Sequence, residues 1–388
     1  MPALAAEPAS LQTLIDATPA GGTLRLPPGN YAGPASINKP MTLDGGRQAT
    51  IIGDGQSTVL SVSGKNVTLR GLRLSGSGES HDRIDAGILL EGDEHRVEDN
   101  EIDDVLFGIH LKQVNRSRIS GNHITGKNLS LGLRGDAIRL WYSQHNVIEG
   151  NHFERARDLT FTNSPDNRII GNRLTDARYG MHIIFSPRLL VENNRITYTS
   201  TGIVVLYSPD LILRGNHVAH ALSGGGGGIV FKESNDALVE NNEVLHCAVG
   251  IKVDAPPQAV GTLTVRNNRF AHNIIGAFFY GEDGGHRFFD NRFENNLSTV
   301  AISASGTASA NVWRGNFWDD YQGFDRNNDG IGDTPHEAWL HADRIWMDTP
   351  MATFFRNSPA LEMLDFLERL APFSLPYRIL QDVMPRMQ

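Results

Sequence analysis

The chain has 388 residues, a net charge of −9 and a single cysteine, Cys247. One cysteine excludes an intrachain disulfide, and an acidic balance without a basic tail argues against nucleic acid as the main partner. No apolar run approaches the roughly 20 residues that a helix needs to cross a bilayer.

In chain order, the N-terminus opens MPALAAEP. Ala3-Leu4-Ala5 has the small–x–small form that ends a secretory signal, so the segment reads as the start of a nearly mature, exported protein behind an added Met1. Leu11–Ala17 follows as a short amphipathic helix suited to covering the open end of a stack, and residues 1–22 form this N-terminal segment. The stretches TLRLPPGNY, TLDG, ATIIGDG and NVTLRGLRL then begin a series of short apolar segments.

Through the middle of the chain DN, GN or NN recurs. The second asparagine falls at Asn100, Asn122, Asn151, Asn172, Asn194, Asn216, Asn242, Asn268, Asn291 and Asn316, at intervals of 22, 29, 21, 22, 22, 26, 26, 23 and 25 residues. A period in the low twenties made of short β-rich segments is one coil of a parallel β-helix. Three residues before each asparagine the side chain is apolar, from Val97, Ile119 and Ile148 to Phe288 and Trp313. Two residues after it the same holds, from Ile102 and Ile124 to Phe270 and Phe293. These are inward columns, stacked at about 4.8 Å, the spacing of hydrogen-bonded strands. The asparagines form a ladder at a turn. The expected fold is all-β: a single-stranded right-handed parallel β-helix over residues 23–317, a solenoid of roughly a dozen coils, with an N-terminal capping helix and a helical C-terminal extension. Residues 127–135 and 221–228 lengthen two coils into loops.

After Asn316 the repeat stops, and residues 318–388 read as a separate region: an Asp/Asn-rich loop, a helix and a partner-docking tail. Asp325, Asn327 and Asp329 have the D-x-N-x-D-G spacing of the start of a calcium loop, with Gly330 at the sharp turn and Asp333 at the ninth position. The twelfth position is His336 where an EF-hand places a bidentate glutamate, and the plain alternative to Ca2+ is an Asx-rich turn. Ser358–Leu370 predicts a helix with Ser358 as N-cap and Pro359 in the first turn. Leu361, Leu364, Leu367 and Leu370, with Met363 and Phe366, give it a wide apolar face that either covers the far end of the stack or docks a partner. Met347 and Met351 sit four apart beside it, and the final APFSLPYRILQDVMPRMQ is apolar, broken by proline and too short to fold alone.

Among the histidines, His123, His152 and His217 each follow a ladder asparagine and read as a polar outer row, since Glu101, Arg173 and Arg195 fill the same place. Cys247 precedes an inward strand and reads as a small buried hydrophobe, with His246 beside it. Many β-helices bind sugars, and glycoside hydrolysis needs two carboxyls across one groove. Asp99, Asp103, Asp104, Asp136, Asp158 and Asp176 supply single acids, with Asp136 and Asp158 in comparable places on neighbouring coils, but no complete catalytic set stands out.

The strand register sorts the segment RYGMHIIFS at 178–186. Ile109, Ile138, Leu159, Met181 and Ile203 align as one inward column, so Met181 points in and His182 points out. Ile184 shares the outward face of His182, and neighbouring coils add Trp141, Val204 and Leu206. An apolar strip outside a solenoid is a candidate docking surface.

GDAIRLWYSQHN, RYGMHIIFS, GIVVLYSP, GAFFYGEDG, GNFWDDYQGFDRNNDGIGDTPH, ADRIWMD and SPALEMLDFLERLAPFS together resemble the NosD family, over nearly the whole chain. That family comprises periplasmic β-helix proteins needed to mature nitrous oxide reductase. The resemblance implies a non-enzymatic, periplasmic role in supplying copper, as Cu(I), to the copper–sulfur site of nitrous oxide reductase. It implies an ABC transporter membrane subunit with its ATPase and a copper chaperone lipoprotein as partners, with membrane contact only through a partner. It also implies that the C-terminal helix region, with Met347, seats on the membrane subunit. The family often has methionine where Ile184 stands, giving His-x-Met on one face. This chain keeps His182 as a copper candidate and lacks the thioether.

Overall fold

The structure is a computed structural model and describes residues 9–234, 236–254, 261–281, 284–303, 307–340, 358–370 and 377–387. It comprises two compact units, Met1–Leu211 and Ile212–Gln388, and its β-solenoid has about twelve turns.

In the first unit the coils stack through parallel strand pairs, short in some coils and merged into 12-residue strands in others, such as Arg173–Ile184 and Arg195–Leu206. Arg118–Ser120 pairs with Arg96–Glu98 on one side and Val147–Glu149 on the other. His123–Gly126 pairs with Glu101–Val105 and His152–Glu154. Ile138–Trp141 pairs with Phe107–Asn115 and Asp158–Thr162. The register sets Val97, Ile119, Ile148, Ile169 and Val191 opposite one another, and all five are sealed from solvent. In the second unit Val239, Val265, Phe288 and Trp313 form the corresponding column. Burying each such side chain stabilises the stack by about 1.5–3 kcal/mol.

The repeated dipeptide now has a backbone cause. The residue before each ladder asparagine is left-handed: φ is 54° at Asp99, 65° at Gly121, 56° at Asn193 and 72° at Gly315. Glycine, asparagine and aspartate adopt that conformation most readily, and the sequence alternates among those three. The asparagine that follows is buried and bonds three ways. Asn122 Nδ2 donates to Asn151 Oδ1 at 2.9 Å and to the Val97 carbonyl at 2.9 Å, while its backbone N–H donates to Asn151 Oδ1 at 2.9 Å.

Helix α1 (Leu11–Ala17) covers the start of the first unit, with Leu11 and Ile15 buried. Gln12 ties it down, accepting from Ser36 N–H at 2.8 Å and donating to the Ser36 carbonyl at 3.2 Å.

In the C-terminal region the last described residues pair with the sheet. Strand Tyr377–Asp382 runs antiparallel to His336–Leu340, and Asp382 pairs in parallel with Trp313. Ile379 and Leu380 are buried, and Phe317 makes a further bridge to Arg386. Residues 377–387 therefore form a closing rung. The ladder Asn216–Asn242–Asn268–Asn291–Asn316 continues into Asp382, whose Oδ2 accepts from Asn316 Nδ2 at 2.8 Å. Sequence reading missed this rung because it arrives 66 residues after Asn316 and carries aspartate in place of asparagine. Helix α2 (Pro359–Leu370) lies where the capping pattern put it.

Candidate functional site

Strand alternation on Arg173–Ile184 places Met181 and Ile183 inside and His182 outside, opposite Thr160 and Val204. His182 is less exposed than expected, with 19% of its side chain accessible and Nδ1 3.7 Å from Asp158 Oδ2. The Tyr179 ring meets it edge-on at 4.9 Å. Arg178 grips the same carboxylate from Nε at 3.1 Å and from Nη2. On the preceding coil Asp136 contacts Arg139 and Arg157, each at 3.3 Å.

The two carboxyls are driven apart in acidity. Burial and the charge of Asp158 push Asp136 up, outweighing its two long arginine contacts. Burial also acts to raise Asp158, but the nearby His182 and the hydrogen bonds and charge of Arg178 hold it below the usual carboxylate range. Burial, then Arg139 and Lys112, lowers the nearby His110 to about 4, so its imidazole is neutral. Both acids are almost wholly sealed, at 1% exposure each. Their contacts position arginines and His182; neither carboxyl opens onto a groove in which a glycosidic bond and a water could sit.

Beside this cluster runs an exposed aromatic strip. Trp141 lies edge-on to Tyr142 at 5.1 Å, and Phe185 stacks on Tyr207 at 4.9 Å. Ile184 and Leu206 are half-buried neighbours in register, but Thr162 stands between Trp141 and Ile184. The apolar face expected from Trp141, Ile184 and Leu206 is thus interrupted by a threonine and extended by Phe185 and Tyr207. Both of these sit at left-handed turn positions, φ 48°, which a simple in–out alternation does not anticipate.

Among the described residues, two imidazole groups lie elsewhere. In the first unit His123 stacks on His152 at 4.7 Å, and Glu154 Oε1 lies 3.1 Å from His152 Nε2. One ligand atom from each of the three lies within 4.8 Å of the others, a spacing that can hold a metal ion. Burial and the neighbouring His123 lower the basicity of His152. In the second unit His220, His246 and His272 stack in a row, with ring centroids 5.3 and 5.0 Å apart. Sequence reading noted only His246. The signal was present as spacing, because each histidine stands four residues after a ladder asparagine, at intervals of 26 and 26 residues. Cys247, next to the row, is buried, and burial pushes its thiol up to about 11. It donates to the Leu245 carbonyl at 3.2 Å, as a packed hydrophobe would.

In the calcium-like loop the carboxylates are engaged with the loop's own backbone. Asp325 accepts from Gly330 N–H at 2.8 Å, Asp329 from Ile331 N–H at 2.8 Å and Asp333 from Arg326 N–H at 2.8 Å. Asn327 Nδ2 donates to Asp329 at 3.0 Å. His336, at the twelfth position, turns to the core and stacks on Trp318 at 4.8 Å. On helix α2 Met363, Phe366, Leu367 and Leu370 are exposed. Leu361 and Leu364 belong to the same helix, and Met347 lies outside the described residues.

A family model described as "Periplasmic copper-binding protein (NosD)" matches residues 120–323, more than half of the chain. The chain belongs to the NosD family. Two relatives, each named "Probable ABC transporter binding protein NosD", agree with this. The one from Stutzerimonas stutzeri is 27% identical, with 95% of this chain and 87% of the relative covered. The one from Pseudomonas aeruginosa is 27% identical, with 90% and 85% covered. Among solved structures, a Yersinia enterocolitica family 28 exopolygalacturonase superposes with a TM-score of 0.58 at 12% identity, over 75% of this chain and 73% of that one. The catalytic domain of a GH87 α-1,3-glucanase gives 0.57 at 13%, over 80% and 68%. These two show the shared fold alone. The NosD match spans both imidazole groups, His182 and the aromatic strip; helix α2 and the closing rung lie beyond it.

Proposed function

We propose that this NosD-family chain is a periplasmic accessory protein that takes part in copper delivery and in assembly of the copper–sulfur site of nitrous oxide reductase. It works docked on the membrane subunit of an ABC transporter with its ATPase, with a copper chaperone lipoprotein as a further partner. The observation that carries the reading is the family match over the coils that hold the imidazole groups. The names of the relatives support the transporter as partner. The chain acts by binding, and the acid pair Asp136 and Asp158 is sealed beneath arginines. The aromatic strip of Trp141, Phe185 and Tyr207, and the exposed face of helix α2, are the surfaces offered to partners. His182 contributes a single nitrogen at the edge of that strip.

Anaerobic titration of the full chain with Cu(I) against a competing chelator tests the proposal, together with maturation of the reductase in cells that lack the chain. Bound copper and a reductase without its copper–sulfur site support it. A chain that binds no copper but releases reducing ends or unsaturated sugars from polyuronates overturns it.

A further inference from the structure

His110, Arg139, Thr160 and His182 follow one another in register on consecutive coils, on the outward side of one sheet. Outward side chains ordinarily meet water, yet His110 and Thr160 are only 4% and 5% exposed. Among the described residues, His110 Nε2, Arg139 Nε and Thr160 Oγ1 are shut off from solvent with no hydrogen-bond partner. Thr160 lies toward Asp136 and favours its charged form, but beyond hydrogen-bond reach. Packing alone does not call for polar groups here. Leu89 holds the place before His110 in the register, and Val204 the place after His182. Aliphatic side chains therefore satisfy this row. A buried polar atom left unengaged is costly, so three in adjacent places need a reason besides packing.

We propose that His110, Arg139 and Thr160 form a binding site for a small oxyanion. The donors set the class of ligand. Arginine Nε–H can only donate, and a threonine hydroxyl can donate. The neutral His110 imidazole can carry its one proton on Nε2. Residues facing one another on neighbouring strands stand about 4.8 Å apart. Donors from two coils can thus meet on one ligand, each at about 2.9 Å from an acceptor oxygen.

Charge points the same way. Asp136 holds Arg139 and Arg157, and Asp158 holds Arg178, so three cations face two carboxyls. One of those carboxyls, Asp136, is pushed toward its neutral form by burial and by Asp158. A bound anion completes the balance. Arg139 and His182 keep 24% and 19% of their side chains accessible, so the row meets solvent through them while the rest is closed. Such access suits an ion of a few atoms and not a sugar chain. The site is separate from the copper reading, and neither depends on the other.

The test is calorimetric titration of the full chain with sulfate, phosphate and acetate, at constant ionic strength in chloride, with a melting curve in each buffer. His110→Leu gives the row the residue that the preceding coil already holds there. Arg139→Gln removes the guanidinium. Arg195→Gln makes the same charge change at an exposed place on another sheet. The expected result is that His110→Leu and Arg139→Gln each weaken anion binding at least about tenfold, while Arg195→Gln stays within about twofold. His110→Leu should also melt no lower than the parent in chloride alone, which a histidine needed only for structure would not allow. Binding of acetate in preference to sulfate and phosphate supports the site with an organic carboxylate as its ligand, and the reverse order supports it with a free inorganic ion. No anion binding by the parent, equal binding by His110→Leu and Arg139→Gln, or a crystal structure with only water on His110 Nε2 overturns the site and leaves the copper reading untouched.

Discussion

Replacing Asp382 isolates what the closing rung contributes. Its carboxylate accepts from Asn316 N–H at 2.9 Å, Asn316 Nδ2 at 2.8 Å, Trp318 Nε1 at 3.2 Å, Gly315 N–H at 3.2 Å and Met384 N–H at 3.0 Å. Asn316 and Trp318 are buried, so Asp382→Ala strands three donors away from water. At about 1–3 kcal/mol for each unsatisfied buried group, softened by water entering the gap, the expected loss is about 3–5 kcal/mol. Asp382→Asn keeps one acceptor oxygen in the row and adds an amide N–H with no further rung to meet, so it should cost about 1 kcal/mol. Denaturant titration followed by tryptophan fluorescence reads the effect locally, because Trp313 and Trp318 are buried beside the rung. The reasoning fails if Asp382→Ala lies within about 0.5 kcal/mol of the parent, the range of ordinary surface changes. It fails equally if asparagine costs as much as alanine.

Other expectations follow from the same physics. Val191→Asp puts an unpartnered charge into a closed column and should cost several kcal/mol in thermal or chemical unfolding. Asp158 has its carboxyl held down by His182 and Arg178, so its contribution is present above the ordinary carboxylate value and is lost as pH falls through the lowered one. Asp158→Asn should therefore destabilise at neutral pH by about 1–2 kcal/mol, because the arginine left without its carboxylate is over a third exposed, and flatten the acid side of a stability–pH curve. Asp136 has the opposite sign: its raised carboxyl favours the fold while protonated, and that advantage fades as pH rises through the raised value. Asp136→Asn should thus be far better tolerated at neutral pH than Asp158→Asn in the same unfolding assay. Phe185→Ala with Tyr207→Ala should leave stability nearly unchanged and weaken binding to the transporter's membrane subunit by at least about tenfold, a loss typical of an aromatic anchor.

What the sequence disclosed and what it hid divide along the period of the chain. Val97, Ile119 and their column were legible because a solenoid repeats one environment at a fixed interval, and burial at each coil selects an apolar side chain. His182 was assigned its direction for the same reason. Its partners were not, since Asp158 and Tyr179 approach through side-chain reach rather than strand register. The calcium-like spacing of Asp325, Asn327 and Asp329 disclosed a turn of oxygen-bearing side chains but not that they bond to the loop's own amides, since that depends on local backbone geometry. The closing rung escaped because Asp382 breaks both the interval and the residue type. The histidine row stands in the sequence as two intervals of 26 residues, in phase with the asparagines four places earlier.

The asparagine row has a direction. Each side-chain amide gives one N–H to the asparagine of the later coil and one to a backbone carbonyl of the earlier coil, whose asparagine it accepts from, so every rung inside the row presents the same two faces. A coil with its asparagine can be added or removed in the interior without leaving any donor or acceptor unmatched. Only the terminal rung is different, since it must accept without giving, and a carboxylate is the side chain that does so. The length of such a protein can therefore drift by whole turns while its end stays fixed, as a chain of identical links needs only one particular clasp.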